Sequence, residues 1–341
     1  MNLNELNEVA VAMVTPGKGI LAADESSGTI KKRFDAIKVE STEENRRDYR
    51  EMLFRSTEAM SKYISGVILY DETIWQNAKD GTPLVKLIEQ TSAIPGIKVD
   101  EGTQPLPQCP GELVTVGLDK LAERLNKYYE RGARFAKWRA VIDIGAGIPT
   151  MTAISVNAHA LARYAALCQA AQIVPIVEPE VLMDGDHDID RCHDVTQRVL
   201  NKTFQELRVQ RVELEGMVLK PNMAISAKKC PKQASVDEVA EKTVRMLKAC
   251  VPAAVPGIAF LSGGQSDEEA TAHLNAMNRI GNLPWRLTFS YGRALQAAPQ
   301  KAWSGKSENV AAGQRAFAHR AQMNGLASKG AWESGLEKKV A

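Results

Sequence analysis

Short runs rich in Val, Ile, Leu and Phe recur along nearly the whole chain, and most are followed by a longer segment in which apolar residues return at helical spacing. The runs lie at 19–24 (GILAAD), 65–71 (SGVILYD), 96–100 (GIKVD), 135–144 (FAKWRAVIDI), 174–180 (VPIVEPE), 216–222 (GMVLKPN), 257–264 (GIAFLSGG) and 286–292 (RLTFSYG). Read as strands, they number eight. Several of the intervening segments carry explicit helix starts, because Ser41 with Glu44, Ser235 with Glu238 and Ser266 with Glu269 each fit the S-x-x-E capping box. Val239, Thr243, Met246 or Leu247, and Cys250 then share one face of the second of these helices.

Strands that alternate with helices predict parallel β-α-β units, and eight such units favour a closed (β/α)8 TIM barrel over an open doubly wound sheet. The open-sheet alternative also lacks its phosphate-binding turn, since the first strand runs into Asp24-Glu25-Ser26-Ser27-Gly28-Thr29 rather than G-x-G-x-x-G. No linker rich in Pro, Gly or Ser divides the chain, so residues 1–341 are expected to form a single domain. Within it, 1–18 supply an N-terminal helix and lead-in, 19–293 the barrel, and 294–341 C-terminal helices and a short tail. Pro105, Pro107 and Pro110 cluster where a long βα loop should follow the third strand.

Composition narrows the class without naming a function. The 341 residues are 44% hydrophobic and 25% charged, with a formal net charge of +2, values typical of a globular protein. So balanced a charge gives no general reason to expect nucleic acid or an acidic membrane surface as partner. No apolar run is long enough for a membrane span, and the start has no secretory pattern, so a cytoplasmic protein is expected. The five cysteines, Cys109, Cys168, Cys192, Cys230 and Cys250, form no C-x-x-C pair and read as buried thiols.

Branched apolar side chains normally fill a barrel, and the C-terminal ends of the strands carry the active site. Here seven ionisable residues recur at that end of five strands. Lys137 and Arg139 are two residues apart, hence on one face, with Trp138 opposite; Glu178 and Glu180 repeat the spacing around Pro179. Asp24, Lys98 and Lys220 close the first, third and sixth strands. One strand-end charge alone could simply reach solvent, but seven at one end point to a shared site.

Burial and neighbouring cations free a lysine amine to attack a carbonyl, and Lys98, Lys137 and Arg139 are cations available around Lys220. Glu178, Glu180 and Asp24 could then move protons. Either Lys220 or Lys137 can be the nucleophile on residue chemistry alone. Lys220 is preferred, because it ends an uncharged strand and precedes Pro221, whereas Lys137 has Arg139 beside it.

The last two strands offer different chemistry. Ser262-Gly263-Gly264 ends the seventh and Gly292-Arg293 follows the eighth, which is where TIM barrels frequently bind phosphate. The five histidines are scattered, and no H-E-x-x-H, G-x-S-x-G or G-x-x-x-x-G-K-[ST] motif occurs. The acidic loop Asp184-Gly185-Asp186-His187-Asp188 lacks a Ca²⁺-loop spacing and is better explained as preceding a helix. Neither metal nor cofactor is expected.

GKGILAADESSGTI, GIKVD, FAKWR, EPE, LKPN, FLSGGQS and LTFSYGRALQ stand in order between Gly17 and about Arg293. In these motifs the chain resembles the class I fructose-1,6-bisphosphate aldolases of animals and plants, which form a Schiff base with their substrate. The resemblance implies reversible cleavage of fructose 1,6-bisphosphate to dihydroxyacetone phosphate and glyceraldehyde 3-phosphate, in glycolysis and gluconeogenesis, by a homotetramer. It implies that Lys220 forms the imine, Glu178 is the acid/base of the carbinolamine steps with Glu180 in support, and Asp24 takes the C4 hydroxyl proton.

Lys137 and Arg139 would stabilise charge and position the substrate. One phosphate would sit on Ser262, Gly263, Gly292 and Arg293, and the other near Ser26, Thr29 and Lys98, Thr29 standing where animal enzymes usually have Ser. Those enzymes end in a tail whose terminal tyrosine assists proton exchange on the enamine. This sequence ends EKKVA and its last tyrosine is Tyr291, so the resemblance assigns no residue to that step. A preference for sedoheptulose 1,7-bisphosphate or fructose 1-phosphate, or a non-catalytic scaffold on the same barrel, would leave the motifs unchanged.

Overall fold

All eight apolar runs enter one sheet that closes on itself. In the computed structural model, which describes residues 1–338, the strands are β1 (Gly19–Ala23), β2 (Ile64–Leu69), β3 (Ile94–Lys98), β4 (Phe135–Ile142), β5 (Val174–Val181), β6 (Val218–Leu219), β7 (Gly257–Phe260) and β8 (Arg286–Tyr291). Each pairs in parallel with the next, and β8 returns to β1 through Ile20↔Ser290 and Leu21↔Tyr291. The TIM barrel expected from the hydrophobic pattern is therefore the fold.

The strands are mostly shorter than the apolar runs. β6 is reduced to two residues, preceded by a 3-10 turn at Leu214–Gly216. Lys220 still donates its N–H to Val177 O at 2.8 Å, but Pro221 has no N–H with which to continue the ladder. β7 stops at Phe260, short of Gly263, whose φ of +53° belongs to a turn.

Two layers of apolar side chains hold the barrel. Outside it, residues on alternate strand positions pack under the helices: Trp138 of β4 stacks on Tyr164 of the helix Met151–Ala170, with ring centroids 5.6 Å apart. Inside, the N-terminal end is closed by hydrocarbon. The N-terminal helix Leu3–Met13 lays Leu6, Ala10 and Met13 against Ile20, Phe135, Val174, Ile176, Val218 and Ala259. The Phe135 ring covers Gly96 so closely that a Cβ there would lie 2.3 Å from it. With that end sealed, the charged strand ends are left to the opposite face.

Local signals mostly fall where the sequence puts them. Ser266 and Glu269 form a full capping box at the helix Asp267–Ile280, and Ser235 caps Val236–Cys250 through Glu238 N. The first capping box is displaced by one residue: the helix Glu43–Phe54 is capped by Thr42, which accepts from Asn45 N at 3.1 Å, not by Ser41. Adjacent hydroxyls compete for one cap, and the chain enters the helix with Thr42 extended. The proline-rich loop after β3 holds a small antiparallel hairpin, Thr103–Pro105 with Leu113–Thr115. Helices Arg293–Trp303 and Val310–Ala327 pack on the barrel's outside through Leu295, Phe317 and Ala321. The last residues of the EKKVA ending, 339–341, lie outside the described residues. No described helix is long and apolar enough to cross a membrane.

Candidate active site

The parity of β4 decides which of its side chains meet. With Trp138 turned outward, Lys137 and Arg139 turn inward, into a cleft of about 710 Å3 at the C-terminal end of the barrel. Every site residue singled out from sequence lines that cleft: Asp24, Ser26, Thr29, Lys98, Lys137, Arg139, Glu178, Glu180, Lys220, Ser262, Gly263, Gly292 and Arg293. The volume lies within the usual range for a small-molecule site, roughly 300–1,000 Å3.

Charges pair across neighbouring strands. Lys137 Nζ is 2.7 Å from Asp24 Oδ2, 3.5 Å from Glu178 Oε2 and 4.0 Å from Asp100 Oδ2, with lysine and all three carboxylates largely buried. Burial alone would strip the charge from Lys137, but Asp24, then Glu178 and Asp100, overcome it and raise its pKa well above the ordinary lysine value. Burial likewise works against ionised Asp24, yet Lys137, Lys220 and Lys98 hold its carboxyl well below the usual carboxylate range. This pair is therefore an ammonium against a carboxylate.

Lys220 is placed differently. Its Nζ meets one carboxylate, Glu178 Oε1, at 3.1 Å. Glu178 thus bridges the two lysines, and its Oε2 makes no hydrogen bond among the described residues. Arg139 pairs with Glu180 of the adjacent strand, two positions beyond its register partner Glu178. At the β1 side of the cleft, Ser26 and Thr29 hydroxyls lie 3.1 Å apart, and Lys98 stands over the Tyr70 ring while pairing with Asp100 at 3.4 Å. At the β7–β8 side, buried Ser262 precedes left-handed Gly263, and Arg293 donates to the carbonyls of Gly263 and Gln265.

Ionisable lining residues beyond those expected from sequence include Asp100, Glu25, Arg33 and Asp184. Asp100 follows Lys98 by two positions, so strand parity could have found it. Glu25 is buried beneath the cleft, where it accepts from Arg33 and, at 2.7 Å, from Gln296. Arg33, from the helix Ser27–Ala36, reaches back beside Gly292. Closure of β8 onto β1 brings Glu25 and Arg33 against Gln296 and Gly292, and no local motif announces it.

A family model described as "Glycolytic: Fructose-bisphosphate aldolase class-I" matches residues 5–341. The chain belongs to the class I fructose-bisphosphate aldolase family. It is 59% identical over 334 residues to a probable fructose-bisphosphate aldolase class 1 of Xanthomonas campestris pv. campestris, covering 98% of this chain and 100% of that protein. It is 54% identical over 326 residues to fructose-bisphosphate aldolase B of Gallus gallus, covering 95% and 90%.

Among solved structures, the Plasmodium falciparum fructose-bisphosphate aldolase, in complex with TRAP and a small-molecule inhibitor, superposes with a TM-score of 0.96. Identity there is 50%, and the match covers 98% of this chain and 96% of that one. The chain is thus an aldolase of the glycolytic type, a carbon–carbon lyase.

Proposed function

We propose that this class I aldolase cleaves fructose 1,6-bisphosphate reversibly to dihydroxyacetone phosphate and glyceraldehyde 3-phosphate through an imine on Lys220. The observation that carries the choice of nucleophile is the unequal neutralisation of two buried lysines. Lys137 faces three carboxylates and is held as an ammonium, which has no lone pair for a carbonyl; among the described residues Lys220 makes a single ion pair, with Glu178.

The chemistry then distributes over the cleft. The Lys220 amine adds to the C2 carbonyl, and Glu178 protonates the carbinolamine hydroxyl so that water leaves and an iminium forms. Asp24 takes the C4 hydroxyl proton, the C3–C4 bond breaks, and its electron pair enters the iminium to give an enamine as glyceraldehyde 3-phosphate departs. Protonation at C3 and addition of one water release dihydroxyacetone phosphate and restore the amine. Lys137 offsets the charge on Asp24 and Glu178, and Arg139 with Glu180 positions the sugar. Tyr291 takes no part in protonating the enamine: it is fully buried, with its hydroxyl donating to Ala270 O at 2.9 Å.

Cations and donors at both sides of Lys220 suit two phosphates. One is placed on Ser262, Gly263, Gly292 and Arg293, the other near Ser26, Thr29 and Lys98. The enzyme acts in this reading as a single-domain chain assembled into homotetramers in the cytoplasm, with no metal or cofactor. Values of kcat/KM for fructose 1,6-bisphosphate, fructose 1-phosphate and sedoheptulose 1,7-bisphosphate, measured in EDTA, test it. The first should exceed the second by well over tenfold, because losing a phosphate strands buried donors. No turnover of any of the three by a folded sample would leave only a scaffold, and activity lost in EDTA would call for a metal-dependent route.

A further inference from the structure

Two adjacent glycines after β7 are glycine for different reasons. Gly263 is left-handed, and a Cβ there would also lie 2.0 Å from Met183 Cε. Gly264 has no such backbone. A Cβ on Gly264 would instead lie 2.1 Å from Lys228 Cε and 3.0 Å from its Nζ, so the missing side chain is what admits the lysine stem.

Lys228 belongs to the segment after β6, and its base is pinned. Its N–H donates to Met183 O at 2.9 Å, while Ala227 and Lys229 donate to His187 O and Gly185 O at 2.9 and 3.0 Å. Met183 in turn accepts from Gly264 N at 2.8 Å. The Lys228 ammonium is half-exposed and meets Asp184 Oδ1 at 2.5 Å, and Asp184 lines the cleft.

We propose that Lys228 is a further phosphate-binding residue of this enzyme, handed from Asp184 to the phosphate seated on Ser262, Gly263 and Arg293. This rests on reading that loop as a phosphate site. A phosphate dianion carries twice the charge of a carboxylate, and an ammonium has three donors on a flexible stem, so a swing of its tip lets it meet the new anion. Paired with Lys228, Asp184 brings little repulsion to an arriving phosphate; unpaired, it would oppose it. The chain supplies this cation from the segment after β6, beside Gly264 of the loop after β7.

The test measures KM for fructose 1,6-bisphosphate and Kd for dihydroxyacetone phosphate at low and high salt. Lys228→Gln should weaken both about fivefold, with a smaller change in kcat, and should flatten their salt dependence. Lys228→Arg should keep most of the affinity. Gly264→Ala, which pushes the lysine aside, should follow Lys228→Gln, whereas Asp184→Asn should tighten binding. Arg293→Met serves as the reference for the site. If it weakens binding while Lys228→Gln and Gly264→Ala do not, the proposal is wrong and the phosphate site stands. If Arg293→Met has no effect either, the phosphate site itself is wrong and Lys228 falls with it.

Discussion

Replacing Lys137 by Met removes one buried ammonium from three carboxylates while keeping a side chain of similar length. At an effective dielectric constant of about 20, contacts of 2.7, 3.5 and 4.0 Å correspond to attractions of about 6, 5 and 4 kcal/mol before desolvation. The loss cannot reach their sum, because an orphaned carboxylate will take up a proton instead. Protonating a group of ordinary pKa near 4 costs about 4 kcal/mol at pH 7 and about 1.4 kcal/mol at pH 5.

Glu178 keeps Lys220 and Asp100 keeps Lys98, so Asp24 is the carboxylate most exposed to the loss. The expected destabilisation is about 3–4 kcal/mol at pH 7. The sign follows from linkage. In the wild type the Asp24 pKa is depressed, so its contribution is present above the unfolded-state pKa and is lost as pH falls; in the variant the same group is raised and regains stability on acidification. The stability gap between the two proteins, from urea unfolding at pH 7 and pH 5, should shrink by about 2 kcal/mol on acidification. A gap below about 1 kcal/mol at pH 7, or one that does not change with pH, would refute the buried ion cluster.

Glu178→Gln should lower kcat by about 100-fold or more, because an amide cannot shuttle the carbinolamine proton; stopped-flow trapping should place the delay in imine formation, and a loss under tenfold would dismiss Glu178 as the acid. Gly96→Ala forces a methyl to 2.3 Å from the Phe135 ring and should cost about 1–3 kcal/mol, with Phe135→Leu restoring part of it in the double variant; additive losses by thermal denaturation would contradict the contact. Burial, only partly opposed by Glu269, holds the His273 pKa near 4, so the unfolded chain binds its proton first and stability declines as pH falls from 6.5 to 4, by up to about 3 kcal/mol. His273→Gln should flatten that part of the urea-midpoint profile, and an unchanged slope would place the titration elsewhere.

Strand parity made much of this legible before any coordinates. Because Lys137, Arg139, Glu178 and Glu180 alternate with Trp138 and Pro179, their shared face follows from backbone geometry alone. The same rule applied once more beyond Lys98 would have reached Asp100. What one dimension could not show is which partner each charge meets. Lys137 and Lys220 differ in pairing with three carboxylates or one, and that depends on Asp24 just after β1 and Asp100 beyond β3 projecting across the barrel. Arg33 and Glu25 enter the site through contacts with Gly292 and Gln296, far along the chain, and Lys228 through a gap at Gly264. The displaced cap at Thr42 is the opposite kind of miss, a near-degenerate local choice.

The central question is which of the two buried lysines forms the imine. Borohydride reduction in the presence of dihydroxyacetone phosphate fixes the imine as a stable secondary amine, and peptide mapping by mass spectrometry then locates it. Label on Lys220, abolished in Lys220→Ala and retained in Lys137→Met, is the predicted result; label on Lys137 with Lys220 unmodified would contradict the electrostatic argument at its root.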